Sequence, residues 1–260
     1  MLSVKQTNGS IDGPRGAAAL LGETETAVAL YSGRLKLARQ KRQLLSELRS
    51  SYGRTEAAGT IATDEAIVEA EFGYLPHAQS SSRNSPANVK LMYSSMQLSC
   101  HPLRARLMRH DRLIENLRKA FPQDTLVNAV WASVASAQAK IKRGNPQKAL
   151  ELLEVARPYE LGWQAVFMPI YVRGEAYLRL RKGAEAAVEF QKILDHRGVG
   201  LTSEFYPLAQ LGTARAYRLM GDRIWSLSLR TVIQDLEGSE DLPLLRSARA
   251  EYADVQRQSP

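Results

Sequence analysis

Three times in the second half of the chain a small side chain is followed, seven residues later, by a position that ends a helix: Ala137 and Gly144, Gly174 and Arg181, Ala214 and Gly221. A tyrosine stands three residues after the second and third small positions, at Tyr177 and Tyr217. Each turn leads into a further apolar-periodic stretch, over Gln147 to Val155, Ala184 to Leu194 and Arg223 to Leu236. Such a series leaves the chain little freedom. A single pair of helices cannot bury its apolar face alone, so successive pairs must stack and share one continuous core. The small positions lie 37 and 40 residues apart, so the connectors between pairs are long. They are visible as Arg157-Pro-Tyr-Glu-Leu-Gly162 and Asp195-His-Arg-Gly-Val-Gly200, where Pro or Gly stops one helix before the next begins.

The relative positions agree with the tetratricopeptide repeat (TPR), whose unit is ~34 residues. Gly174, Tyr177, Ala186, Phe190 and Ile193 fit best, followed by Ala137, Gly144, Ala149, Leu153 and Ala156, and then by Ala214, Tyr217 and Gly221. The reason for the pattern is steric. A small residue on the first helix of a pair lets the second lie close, an aromatic fills the groove between them, and Ala on the second helix permits the crossing. Leu242 to Gln256 then places Leu244, Leu245, Ala248, Tyr252 and Val255 on one face, with Asp241 as N-cap and Pro243 in the first turn. The expected fold is all-α: an α-α superhelix of TPR-like hairpins closed by a C-terminal capping helix.

The N-terminal part is less regular. Residues 1–22 hold four glycines and a proline without period, and read as a disordered leader. Residues 23–122 read as a degenerate helical-repeat region. Leu30, Leu37, Leu44, Leu45 and Leu48 recur at helical spacing beside a basic face of Arg34, Lys36, Arg39, Lys41, Arg42 and Arg49, and this face is expected to meet water. The Ser-, Pro- and Asn-rich residues 73–90 form a loose stretch within that region. Two helices, Leu91 to Leu98 and Leu103 to Phe121, are expected to pair around His101-Pro102. Residues 123–256 make the repeats and the capping helix. Residues 73–110 and 223–238 lose the flanking alternation without changing the spacing, as compensated frameshifts in the gene would do; an out-of-frame translation that restores no helical pattern would refute this origin.

Charge narrows the function classes. The formal net charge is +8, but it divides into +5 over residues 1–125 and +3 over residues 126–260. So diffuse an excess describes a solvated surface rather than a nucleic-acid partner. Cys100 is the only cysteine, which excludes an intramolecular disulfide and fits a reducing, cytoplasmic setting. No stretch reaches the ~20 apolar residues of a membrane span.

The runs Phe121-Pro-Gln-Asp-Thr-Leu-Val-Asn128, Arg143-Gly-Asn-Pro-Gln-Lys-Ala-Leu-Glu-Leu-Leu153, Pro158-Tyr-Glu-Leu-Gly162, Tyr171-Val-Arg-Gly-Glu-Ala-Tyr177 and Glu189-Phe-Gln-Lys-Ile-Leu-Asp-His-Arg-Gly198 resemble the C-terminal tetratricopeptide-repeat region of bacterial eukaryotic-like serine/threonine protein kinases. Similar regions follow winged-helix domains in some bacterial regulators. The resemblance is strong over about residues 121–222 and 242–255, weaker over 27–72 and poor elsewhere. It implies a sensory or scaffolding module that is normally attached to a signalling domain.

Catalytic chemistry leaves no trace in the sequence. Phosphoryl transfer would need a Gly-rich phosphate loop, a strand lysine, His-Arg-Asp and Asp-Phe-Gly, none of which occurs. Asp195-His196-Arg197 has related letters in the wrong order within a connector. Cys100, His101 and His110 lack the further ligand that would complete a metal site. The expected protein is therefore no enzyme, takes no cofactor, and binds a protein or peptide partner along the groove lined by the first helices of the pairs. Gln138, Glu175 and Arg215 occupy equivalent groove positions, with Arg218 one turn beyond Arg215. The resemblance carries a second expectation: a detached, decaying C-terminal remnant of such a kinase or regulator, with no role of its own.

Overall fold

A computed structural model describes residues 21–26, 28–29, 34–51, 104–162, 165, 167–199, 203, 205–236 and 243–258. Of the expected leader at 1–22, residues 1–20 lie outside the described residues, as do the loose stretch at 73–90 and the helix at 91–98, while residues 21 and 22 are helical. Those described are mostly helical, and no strand occurs among them. Residues 21–26 and 28–29 are helical, and α1 (Leu35–Ser51) follows. After α2 (Arg104–Ala120) come α3 (Ala132–Lys142), α4 (Pro146–Leu153), α5 (Met168–Arg179) and α6 (Gly183–Asp195). The last three are α7 (Phe205–Met220), α8 (Ile224–Asp235) and α9 (Pro243–Gln258). Each helix from α3 onward packs on the next, and α3 with α5 and α5 with α7 also touch.

The three recurring turns share one geometry. In each, a residue of positive φ ends the helix: Gly144 at 77°, Arg181 at 58° and Gly221 at 74°. The N–H of the following residue then reaches back to the carbonyl five positions earlier. Asn145 donates to Lys140 at 2.9 Å, Lys182 to Tyr177 at 2.9 Å and Asp222 to Tyr217 at 3.0 Å. This is the Schellman ending, which satisfies carbonyls that the helix leaves orphaned. The first and third turns also start their next helix well. Asn145 accepts from the Lys148 N–H at 3.2 Å with Pro146 behind it, and Asp222 accepts from the Ile224 N–H at 3.0 Å. The middle turn has neither device, since Arg181 takes the left-handed position and Lys182 offers no side-chain cap.

Packing is tightest around Phe190 of α6, whose ring is fully buried. A Cβ on Gly174 of α5 would stand 2.6 Å from that ring, and a Cβ on Gly212 of α7 would stand 2.5 Å from it. The ring is thus clamped between two bare helix backbones. Tyr171 lies against its edge, with centroids 5.9 Å apart at 56°. The small position expected at Gly174 does bring α6 close, as the steric reading required. The second glycine of the clamp, Gly212, lies in the next pair.

Beside this clamp lies a buried ion cluster. Arg173 of α5 is 0% exposed. Its Nε and Nη2 donate to the two oxygens of Glu189 at 2.9 and 2.8 Å, and Nη2 also donates to Glu160 at 2.6 Å. Lys192 pairs with the other oxygen of Glu160. Burial alone would lower the Arg173 pKa; the two carboxylates more than offset it, and the guanidinium is held above its ordinary value. The cluster ties the end of the first connector to α5 and α6.

Some boundaries differ from the sequence reading. After Leu153 the chain continues in tighter 3₁₀ turns through Glu154–Tyr159, so half of the expected connector is helical. The Phe121 run forms a built turn rather than a plain helix end. Asp124 accepts from the Val127 N–H at 3.0 Å, while the Asn128 side chain donates to the carbonyls of Phe121 and Asp124 at 2.8 Å each. Leu126–Trp131 then forms a wide π-helical turn leading into α3. Ala29 and Ala38 share a buried cluster with Leu211, Ala214, Leu229, Val232, Leu236, Leu245 and Ala248, so the N-terminal helical residues close on the last helices of the chain.

Two stability changes follow. Gly174→Ala gains up to ~1 kcal/mol of helix propensity but forces a methyl into a ring that Gly212 holds from the other side, an overpacking cost of ~1–3 kcal/mol. The variant should unfold at lower urea than the parent, and combining it with Phe190→Leu should cost less than the two changes summed; strict additivity would refute the clamp. Arg181→Gly removes the strain of an L side chain in the left-handed region and should raise unfolding stability by about 0.5–1 kcal/mol, read from the urea midpoint at unchanged slope.

Candidate functional site

The same α5 backbone that meets Phe190 presents its next residue, Glu175, to a groove. Eight residues line it: Glu175, Leu178 and Arg179 from α5, Arg181 from the turn, Arg215, Arg218 and Leu219 from α7, and Glu251 from α9. The groove is open along one side and holds about 660 Å³. Four residues separate Glu175 from Arg179, and four separate Arg215 from Leu219, so each helix turns one continuous face toward it.

Four arginines and two glutamates give the groove a formal charge of +2. Arg215 spans it, donating through Nη2 to Glu251 at 2.8 Å and through Nε to the other oxygen at 3.4 Å, with Ser247 at 3.5 Å from Nη2. Ser247 in turn donates to Glu251 at 3.1 Å. Burial would depress the Arg215 pKa; the hydrogen-bonded Glu251 and the nearby Glu175 reverse this, and it is held above its ordinary value. Arg218 is exposed and lies over the Trp225 ring, 5.2 Å from its centroid, a cation–π contact. The guanidiniums of Arg179, Arg181 and Arg218 form no ion pair within 4.0 Å among the described residues.

Glu175 is half-buried. Burial pushes its carboxyl above the usual carboxylate range, against the pull of Arg215 and Arg179. Desolvation therefore outweighs two neighbouring cations, because neither guanidinium hydrogen-bonds the carboxylate.

Of the four groove candidates read from the sequence, Glu175, Arg215 and Arg218 come together here. Gln138 does not. It is half-buried on α3, one pair earlier, and the groove stops short of it. The sequence reading missed Arg179, Arg181 and Glu251. Arg179 carried a signal, standing four residues after Glu175 on the same helix face. Arg181 carried one too, as an arginine where the sister turns have glycine. Glu251 carried none, since it arrives from α9, outside the repeat. Among the described residues no group of three or more His, Cys, Asp or Glu side chains is arranged to hold a metal ion, and no helix is long and apolar enough to cross a membrane.

The raised Glu175 pKa has a pH consequence with a definite sign. The folded state binds this proton more tightly than the unfolded chain, so stability is lost as pH rises from the ordinary carboxylate range through the folded value. Glu175→Gln cannot suffer that loss. The variant should be more stable than the parent near neutrality, and the advantage should shrink as pH falls toward the ordinary carboxylate range. Urea melts of both proteins from about pH 4 to about pH 8 test this; a gap independent of pH would refute it. No family model matches the chain, and neither a curated protein nor a solved structure matches it.

Proposed function

We propose that this chain is a non-catalytic, TPR-like scaffold that binds a segment of another protein in the groove between α5, α7 and α9, in bacterial signalling. The observation that carries the reading is the convergence on one open groove of Glu175 and Arg215, at equivalent positions of successive first helices, and of Arg218 one turn beyond Arg215. Stacked helical pairs use such surfaces to hold extended peptides or partner helices. The succession of pairs with identical turns, and the packing of first helix on first helix from α3 to α5 to α7, support a superhelical arrangement of TPR-like units with α9 as the cap.

Panning a random peptide library against the full chain tests the reading. Enriched peptides should bind saturably, with dissociation constants in the ~1–100 μM range typical of a shallow groove. Arg215→Glu combined with Arg218→Glu should weaken them by ~10-fold or more, with the helical circular dichroism unchanged. Failure to enrich any peptide, or enriched peptides that bind the double variant equally well, would overturn the proposal.

A further inference from the structure

We infer that the groove takes an acidic stretch of its partner polypeptide, whose carboxylate or phosphate oxygens are received by Arg179, Arg181, Arg215 and Arg218. This rests on the peptide-binding reading above and adds the chemistry of what is bound. Charge complementarity is the first support. Four guanidiniums face two carboxylates across one groove, and Arg215 takes Glu251 as its partner. The other three guanidiniums keep donors directed at no carboxylate within ion-pair distance among the described residues. Guanidinium is a planar fork matched to the two oxygens of a carboxylate or to phosphate, and it sheds water more readily than an ammonium. The groove contains no lysine.

The second support is the backbone at Arg181. Three turns of one geometry end α3, α5 and α7, and the left-handed position is Gly144 in the first and Gly221 in the third. In the middle turn alone it is an arginine, at φ 58°, and that arginine lines the groove. An L side chain in this conformation is destabilising where glycine is free of strain. Strained residues of this kind collect where a side chain is needed for binding. The exception to the glycine pattern thus falls on the one turn that borders the groove.

The remaining lining residues define the occupant further. Leu178 and Leu219 add apolar surface to the lining, suited to the aliphatic parts of a peptide. No aromatic side chain lines the groove, so it lacks the stacking platform on which single-stranded nucleic acids rest. Glu175 and Glu251 would also oppose an unbroken chain of phosphates, whereas an acidic peptide can place neutral residues beside them.

The test uses the full chain and fluorescently labelled, C-terminally amidated peptides of about twelve residues, long enough to cross the groove when extended. One alternates Asp or Glu with Leu and Ala; a second replaces the acids with phosphoserine; a third replaces them with Asn and Gln. A single-stranded oligouridylate of similar length is the fourth ligand. Anisotropy titrations should show at least one anionic peptide binding ~10-fold or more tighter than the neutral one, with the margin shrinking as salt is added. Whichever anionic peptide binds better assigns carboxylate or phosphate as the source. Arg181→Gly should weaken the anionic peptide several-fold while raising the unfolding midpoint, a combination that damaged folding cannot produce. Arg179→Gln with Arg218→Gln, two exposed positions, should weaken it further. Equal binding of the neutral peptide, equal binding of the oligouridylate, or an Arg181→Gly protein of unchanged affinity would each overturn the inference. If library-selected neutral or basic peptides bind in the groove and the anionic ones do not, the ligand chemistry is wrong and the scaffold reading stands; if no peptide binds, both fall.

Discussion

The ring of Phe190 sets the spacing on which the rest of the fold depends. It can sit between α5 and α7 only because Gly174 and Gly212 present bare backbone on its two sides, and protein interiors have no slack to absorb a methyl at either. With α5 and α7 drawn to that separation, their neighbouring residues meet across a narrow gap. Arg173, Gly174 and Glu175 follow one another at roughly 100° steps around the helix, and each step has its own consequence. Arg173 enters the ion cluster, Gly174 receives the ring and Glu175 lines the groove. The groove is a by-product of the packing that holds the helices together.

The cluster around Arg173 solves a different problem. The connector that contains Glu160 has to be fastened while the chain turns into α5. A buried ion pair is a poor source of net stability, since desolvation consumes most of what the charges gain. It is a strong constraint on geometry, however, because removing one partner strands the others at ~3–5 kcal/mol. Two oxygens of Glu189, one of Glu160 and the fixed fork of Arg173 permit one arrangement. Phe167, left-handed at φ 66° just before α5 and tilted against the Tyr206 ring with centroids 5.6 Å apart, marks the same sharp redirection of the chain.

What the sequence makes legible is local and periodic. The seven-residue interval from small position to helix end survives into the structure as three Schellman turns, because both features lie on one helix and one turn. The groove face was legible for the same reason at Glu175, Arg215 and Arg218. Gly212 was not, since its role depends on a phenylalanine reaching across from the preceding pair. Arg173, Glu160 and Glu189 look like any solvated charges in a row of letters, and nothing in their spacing says that they are buried. The packing of Ala29 and Ala38 against the last helices joins residues nearly two hundred positions apart, and an alanine face offers no signature of its partner. The breakdown of pattern at 223–238 has a physical reading. Leu229, Val232 and Leu236 face inward while Ile224 and Leu227 stay exposed, so α8 keeps an inward stripe although its apolar residues also cover the outside.

The last helix, α9, changes the charge at the end of the row formed by α3, α5 and α7. In an uninterrupted stack each groove residue faces the next first helix, and the last such face would open to water. Here α9 brings Glu251 against Arg215, which neutralises the deepest arginine and orients it. That leaves Arg179, Arg181 and Arg218 as the exposed cations of the groove. The arrangement divides the work between two kinds of arginine. One is bonded, partly buried and fixed in position. The others stand at the rim, one of them on a strained backbone and another on an indole ring. Rim charges speed and select encounters, whereas a desolvated pair fixes register. In the proposed peptide-binding role, a groove built in this way discriminates by the sign of its ligand before it reads any side chain.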